Sequence, residues 1–179
     1  MLNLFLGRWL FVRAIAVLWA IVGILAVFGG AIYRLGTKAW VLVDTPLTSF
    51  QWALLVFVVV FMAYSEGYKG FQKAYAPRVA ARLKFLYENV TLKRAVFAPL
   101  FCMGFFDIQR RRQIATFILS AFIILMIFSL SMVSQPWRGI VDAGVVVGLS
   151  WGLAAIIGFC VQAFWAERFD YSPEMPEPA

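Results

Sequence analysis

Apolar residues fall in four long runs separated by shorter polar breaks, at about 14–32, 47–65, 114–134 and 139–165. Each run is close to the ~20 residues a helix needs to cross ~30 Å of hydrocarbon. The pattern predicts an all-α, polytopic membrane protein with four transmembrane helices in two hairpins, 1–65 and 114–165. Asp44-Thr45-Pro46 reads as the turn and helix start before the second run. Gln135-Pro136-Trp137-Arg138 is a connector short enough to predict an antiparallel pair for the last two. Arg8 and Arg13 precede the first run as in a signal peptide. The run is longer than a usual signal core and lacks a small-residue cleavage site, so a retained anchor is expected.

The break between the second and third runs, 66–113, has a pattern of its own. From Pro77 onward Val79, Leu83, Leu86 and Val90 recur at spacings of four, three and four, which puts them on one stripe of a helix. Arg78, Arg82, Lys84 and Glu88 take the flanks and back. Such a basic amphipathic helix fits a headgroup layer and fits equally well against the ends of the spans. Ala95 to Phe106 is apolar again, but twelve residues of helix reach only ~18 Å. An interfacial or re-entrant segment is expected there, the latter needing protein or water to cover its broken backbone. In Glu66-Gly67-Tyr68-Lys69-Gly70 the two glycines permit a sharp bend away from the second span. Glu66 is expected to pair with Lys69 or with the Arg110-Arg111-Arg112 triplet, and Asp107 to orient that triplet or cap the approach to the third span.

Composition supports lipid as the solvent: 63% of residues are hydrophobic and 14% charged, with a mean hydropathy of +0.85. Charge then supplies an orientation. Of the sixteen Lys and Arg, which give a net charge of +7, only Arg34, Lys38 and Arg138 fall on one side of the proposed membrane. The rest gather in 66–113 and near the termini, so the expectation is a bacterial-type inner-membrane protein with both termini and 66–113 in the cytoplasm. Trp9, Tyr64, Tyr68 and Trp165 lie near one boundary, and Tyr33, Trp40, Trp52 and Trp137 near the other. Arg78, Arg82, Lys93, Arg94, Arg110, Arg111 and Arg112 are the candidate contacts for anionic headgroups. Nucleic acid is not expected, because the basic residues are interleaved with apolar runs.

Candidate chemistry is sparse. The chain has no histidine, the commonest metal ligand and general base, and Cys102 and Cys160 are isolated from each other. No metal site or cofactor is predicted, and no phosphate-loop, dinucleotide or nucleophile-elbow motif occurs. Asp142 is expected to pair with Arg138 at a helical spacing of four. Gly144, Gly148 and Gly152 form a ridge on the last span where another backbone can approach closely. The first span carries small residues too, at Ala16, Ala20, Gly23, Ala26 and Gly30, so a contact between first and last helices is expected, with a partner helix or self-association as the alternative. Trp19 and Trp151 each need an acceptor for the indole N–H. The acidic, proline-rich tail, 166–179, is expected to be disordered on its own.

Three functions fit these features. The first is a non-catalytic accessory, assembly or scaffold subunit held to a membrane partner or a second copy. The second is a small transporter or channel gated near 95–106. The third is a membrane-embedded lipid-modifying enzyme using Glu66, Asp107 and the arginine triplet around a phosphate-bearing headgroup.

Overall fold

The structure is a computed structural model. It describes the backbone of residues 2–166 and 168–176, and side chains from Phe11 onward. The side chains of Arg8 and Trp9, residue Glu167 and tail residues 177–179 lie outside the described residues. All the regular structure described is helical: α1 (Leu2–Trp40), a 3-10 turn (Val41–Asp44), α2 (Ser49–Met62), a π-helical stretch (Ala63–Tyr75), α3 (Ala76–Glu88), α4 (Leu92–Val96), α5 (Ala98–Met103), α6 (Arg110–Ser131) and α7 (Trp137–Trp165). Among the described residues, four helices are long and apolar enough to cross a membrane: Phe11–Asp44, Ser49–Glu88, Arg110–Ser131 and Trp137–Trp165.

The second of these runs unbroken through its glycines. It starts at a reciprocal cap, where the Thr48 hydroxyl accepts from the Gln51 N–H at 3.3 Å and the Thr48 N–H donates to the Gln51 side chain at 2.9 Å. Pro46 therefore lies before the cap and outside the first turn. Past Met62 the helix widens into π turns, ending with the Ala76 N–H bonded to the Phe71 carbonyl five residues back. Pro77, with no N–H to give, falls in the first turn of α3, where the α spacing resumes. The wider turns carry Phe71 and Tyr75 onto Phe28 of α1, with ring centroids 5.5 and 6.2 Å away.

One end of the molecule is built on this continuation. Ala16, Ala20, Ile24 and Phe28, a strict every-fourth stripe on α1, join Val79, Leu83 and Leu86 of α3, Ala98, Phe101 and Cys102 of α5, and Ile156 of α7 in one core. The apolar stripe of α3 is thus buried against protein. Truncating Leu83 to Ala there would cost ~2–5 kcal/mol. The 95–106 run packs on α1 as parts of two short helices. The Trp19 indole donates to the Val96 carbonyl at 3.1 Å, and the Pro99 ring occupies the place where Gly23 would carry a Cβ.

The four long helices do not form a closed four-helix bundle. The α1, α2–α3 and α7 helices pack together, while none of α6 is buried and, among the described residues, no other helix packs along it. Its anchors lie near its start, where the Gln113 side chain donates to the Phe105 carbonyl at 2.8 Å and Phe117 meets the Phe105 ring edge-on. A short connector to α7 brings two helix ends together without holding their lengths in contact.

Candidate functional site

The glycine ridge is occupied by this chain's own second helix. A Cβ on Gly144 would lie 2.6 Å from Val58, one on Gly148 would lie 2.8 Å from the Glu66 carboxylate, and one on Gly152 would overlap the Phe71 ring. All three glycines are buried. The first and last helices do pack on each other as expected, but not through this ridge, and the small-residue stripe of α1 divides. Ala16, Ala20 and Gly23 face the core or α5, whereas Ala26 and Gly30 are exposed and Gly30 has open space beside it. A ridge of glycines forms a groove, and the bulky Val58–Glu66–Phe71 face fills a groove better than a second row of small residues does.

Glu66 takes neither of its expected partners. Its Oε2 atom is buried and has no hydrogen-bond partner among the described residues. Lys69 lies over the Tyr64 ring at 4.8 Å and Lys73 over Tyr68 at 4.7 Å. Asp107 is held instead by Arg94 at 3.0 Å and Lys93 at 3.4 Å, while the Arg94 guanidinium also lies within 5.2 Å of the Phe85 ring centre and 5.5 Å of that of Phe101. The arginine triplet is split between roles, since Arg110 and Arg111 are exposed and Arg112 turns to Glu174. Among the described residues, Glu66, Asp107 and the triplet therefore make no ion pair or hydrogen bond with one another.

The tail supplies what the sequence reading missed. Expected to be disordered alone, its described part docks on α3, on α7 and on the foot of α6. Glu174 lies 3.2 Å from Arg112 and 3.7 Å from Arg78. The Pro173 carbonyl accepts from the Arg82 Nε–H at 3.0 Å, and the Glu174 carbonyl from the Gln109 N–H at 3.1 Å. Tyr171 meets Phe159 edge-on. Arg82, grouped above with the headgroup contacts, is only 3% exposed, its guanidinium also reaching the Phe101 carbonyl at 3.4 Å. Gly104, at φ +90°, leaves the room that guanidinium uses, because a Cβ there would come within 2.5 Å of it. Lys93, Arg110 and Arg111 remain exposed on the same end.

At the opposite end Asp142, 1% exposed, faces Arg138 at 3.5 Å with the expected spacing of four. The second indole, Trp151, donates to the Gln72 side chain at 2.7 Å. Between α1 and α7 runs an apolar groove of about 340 Å³, lined by residues that include Ile24, Ile156 and Phe164.

The class defined by these features is a helical bundle with four helices apolar enough to cross a membrane and one basic end closed by the chain's own tail. Comparison with protein-family models, with curated proteins and with solved structures finds no match to this chain.

Proposed function

We propose that this chain is a non-catalytic integral protein of a bacterial-type inner membrane, with both termini and the basic end cytoplasmic, acting as an accessory, assembly or scaffold subunit. The observation that carries the reading is α6, a helix of twenty-two residues, apolar from Ile114, with no buried residue and, among the described residues, no helix packed along it. The glycine ridge, satisfied within the chain, no longer supplies the partner surface, and α6 takes over that role. A second membrane protein or another copy packs on α6, while Lys93, Arg110 and Arg111 face anionic lipid at its foot. Single cysteines placed from Ile118 to Leu125 and cross-linked in native membranes test this. Adducts recurring every three or four residues are expected. Uniform absence of adducts along the helix would mean that lipid surrounds it, and the subunit reading would fall.

Glu66 favours a second reading, a small transporter or channel, since a half-buried carboxylate with an unpartnered oxygen at the edge of an apolar bundle is a candidate for an ion path. Proton or cation flux in liposomes that vanishes in Glu66→Gln would support it, and equal flux in protein-free liposomes would dispose of it.

A further inference from the structure

We propose that Arg78, Arg82 and Arg112 form a binding site for a phosphate group, and that Glu174 of the tail occupies this site as an internal stand-in for the ligand. Two helices well separated in sequence, α3 and α6, aim guanidinium groups at one carboxylate. Arg82 is the reason the site needs an occupant. It is buried, its hydrogen-bond acceptors are the neutral carbonyls of Pro173 and Phe101, and Glu174 is the acid whose charge reaches it. A buried guanidinium stripped of both the Pro173 carbonyl and the Glu174 charge would be left uncompensated. Departure of the tail therefore favours entry of another anion.

The fit of Glu174 is incomplete, and this points to the class of ligand. Its Oε1 lies 3.2 Å from Arg112, but Oε2 is 3.7 Å from Arg78 and, though buried, makes no hydrogen bond among the described residues. Two carboxylate oxygens reach Arg112 and, at longer range, Arg78, and leave the guanidinium of Arg82 to backbone carbonyls. A phosphate offers more acceptor oxygens and, as a monoester, more charge, and suits guanidinium forks better. Glu174 also sits at φ +53°, a conformation unfavourable for a residue with a Cβ, so release of the tail relieves strain. Arg112 is in the first turn of α6, just before the apolar stretch opening at Ile114, which places the bound phosphate at the foot of an apolar helix. The source is then a phospholipid headgroup or a soluble phosphate. Only the lipid source rests on the membrane orientation proposed above.

The full-length protein in mild detergent provides the test, as wild type, as Glu174→Gln, and as Glu174→Gln combined with Arg78→Gln and Arg112→Gln. Inorganic phosphate is measured by equilibrium dialysis. Lipid is measured as phosphatidylglycerol retained from mixed micelles with phosphatidylcholine. Glu174→Gln is expected to bind at least tenfold tighter than wild type, and the added arginine substitutions to abolish the gain. A gain with inorganic phosphate assigns a soluble ligand, and a gain with phosphatidylglycerol alone assigns the headgroup. No gain in either, with helicity and melting retained, overturns the proposal. Should Glu174→Gln fail to fold, cleavage of the wild-type tail by a glutamate-specific protease decides. Phosphate or phosphatidylglycerol should speed it several-fold over chloride at equal ionic strength, and unchanged cleavage overturns the proposal. Cross-linking along α6 reads the subunit role independently, so the two can fail separately.

Discussion

Glu66 shows how one side chain can be tightly packed and electrically unsatisfied at once. Its carboxylate sits against Gly148 with Oε2 buried and unpartnered among the described residues, and leaving such an acceptor unmet costs ~1–3 kcal/mol or more. Glu66→Gln keeps the shape and, although its amide is equally unpartnered, removes the cost of a buried carboxylate charge, so the melting temperature in detergent should rise, by an amount worth ~1 kcal/mol. A fall would mean that the carboxylate serves a ligand or partner outside this chain. Cys102 is the opposite case, a group its surroundings silence. Burial pushes its thiol well above the ordinary range, only partly opposed by the nearby Arg82 charge. Because the thiolate is the reactive form, Cys102 should resist a small maleimide at pH 7 while the protein is folded, and react once it is denatured. Rapid labelling of folded protein would show that α5 does not stay seated on α1 and α3.

At the level of elements, the glycine ridge gives a paired prediction. Gly148→Leu drives a side chain into Glu66, whereas Gly30→Leu meets open space. Overpacking of this kind costs ~1–3 kcal/mol. The first variant should therefore melt lower, or be degraded, even when expressed alone, while the second stays close to wild type. Equal behaviour would place α2 and α7 apart. The ridge itself was legible in sequence, because glycines at a spacing of four have few other uses in an apolar helix. Its partner was not, since choosing between α1 and α2 depends on where the π turns aim Glu66 and Phe71. Nothing in Gly67 and Gly70 distinguishes a widened helix from a bend. The Thr48–Gln51 cap, by contrast, was readable from the Thr-x-x-Gln spacing, although Pro46 is the louder signal. The stripe Val79, Leu83 and Leu86 fixed which face of α3 is apolar and could not say whether lipid or protein would cover it.

For the molecule as a whole, the four apolar runs were legible because hydropathy follows directly from composition, but the exclusion of α6 from the packed helices was not. A helix apolar on all sides carries no mark of which side meets protein. The tail was obscured differently: its composition suits disorder, and only the complementarity between Glu174 and a strongly basic middle segment hinted at docking. Orientation is the remaining whole-molecule question, and the structure reduces it to one choice. The Gln135 side chain donates to the Lys38 carbonyl at 3.4 Å, so the α6–α7 turn and the end of α1 share one end of the molecule. The Gln109 N–H donates to the Glu174 carbonyl at 3.1 Å, so the start of α6 and the tail share the other. Under the orientation proposed above, the end with few basic residues, Arg34, Lys38 and Arg138, faces outward and the end with the many from Lys69 to Arg112 faces inward. Reporters fused after Gln113 and after Ala179 should both report cytoplasm, and one inserted at Gln135 the opposite side. Inversion of all three would reverse the orientation and leave the fold untouched. Disagreement between the Gln113 and Ala179 reporters would be more serious, because a tail on the far side of the membrane could not bring Glu174 to Arg78 and Arg112, and the closed basic end would have to be abandoned.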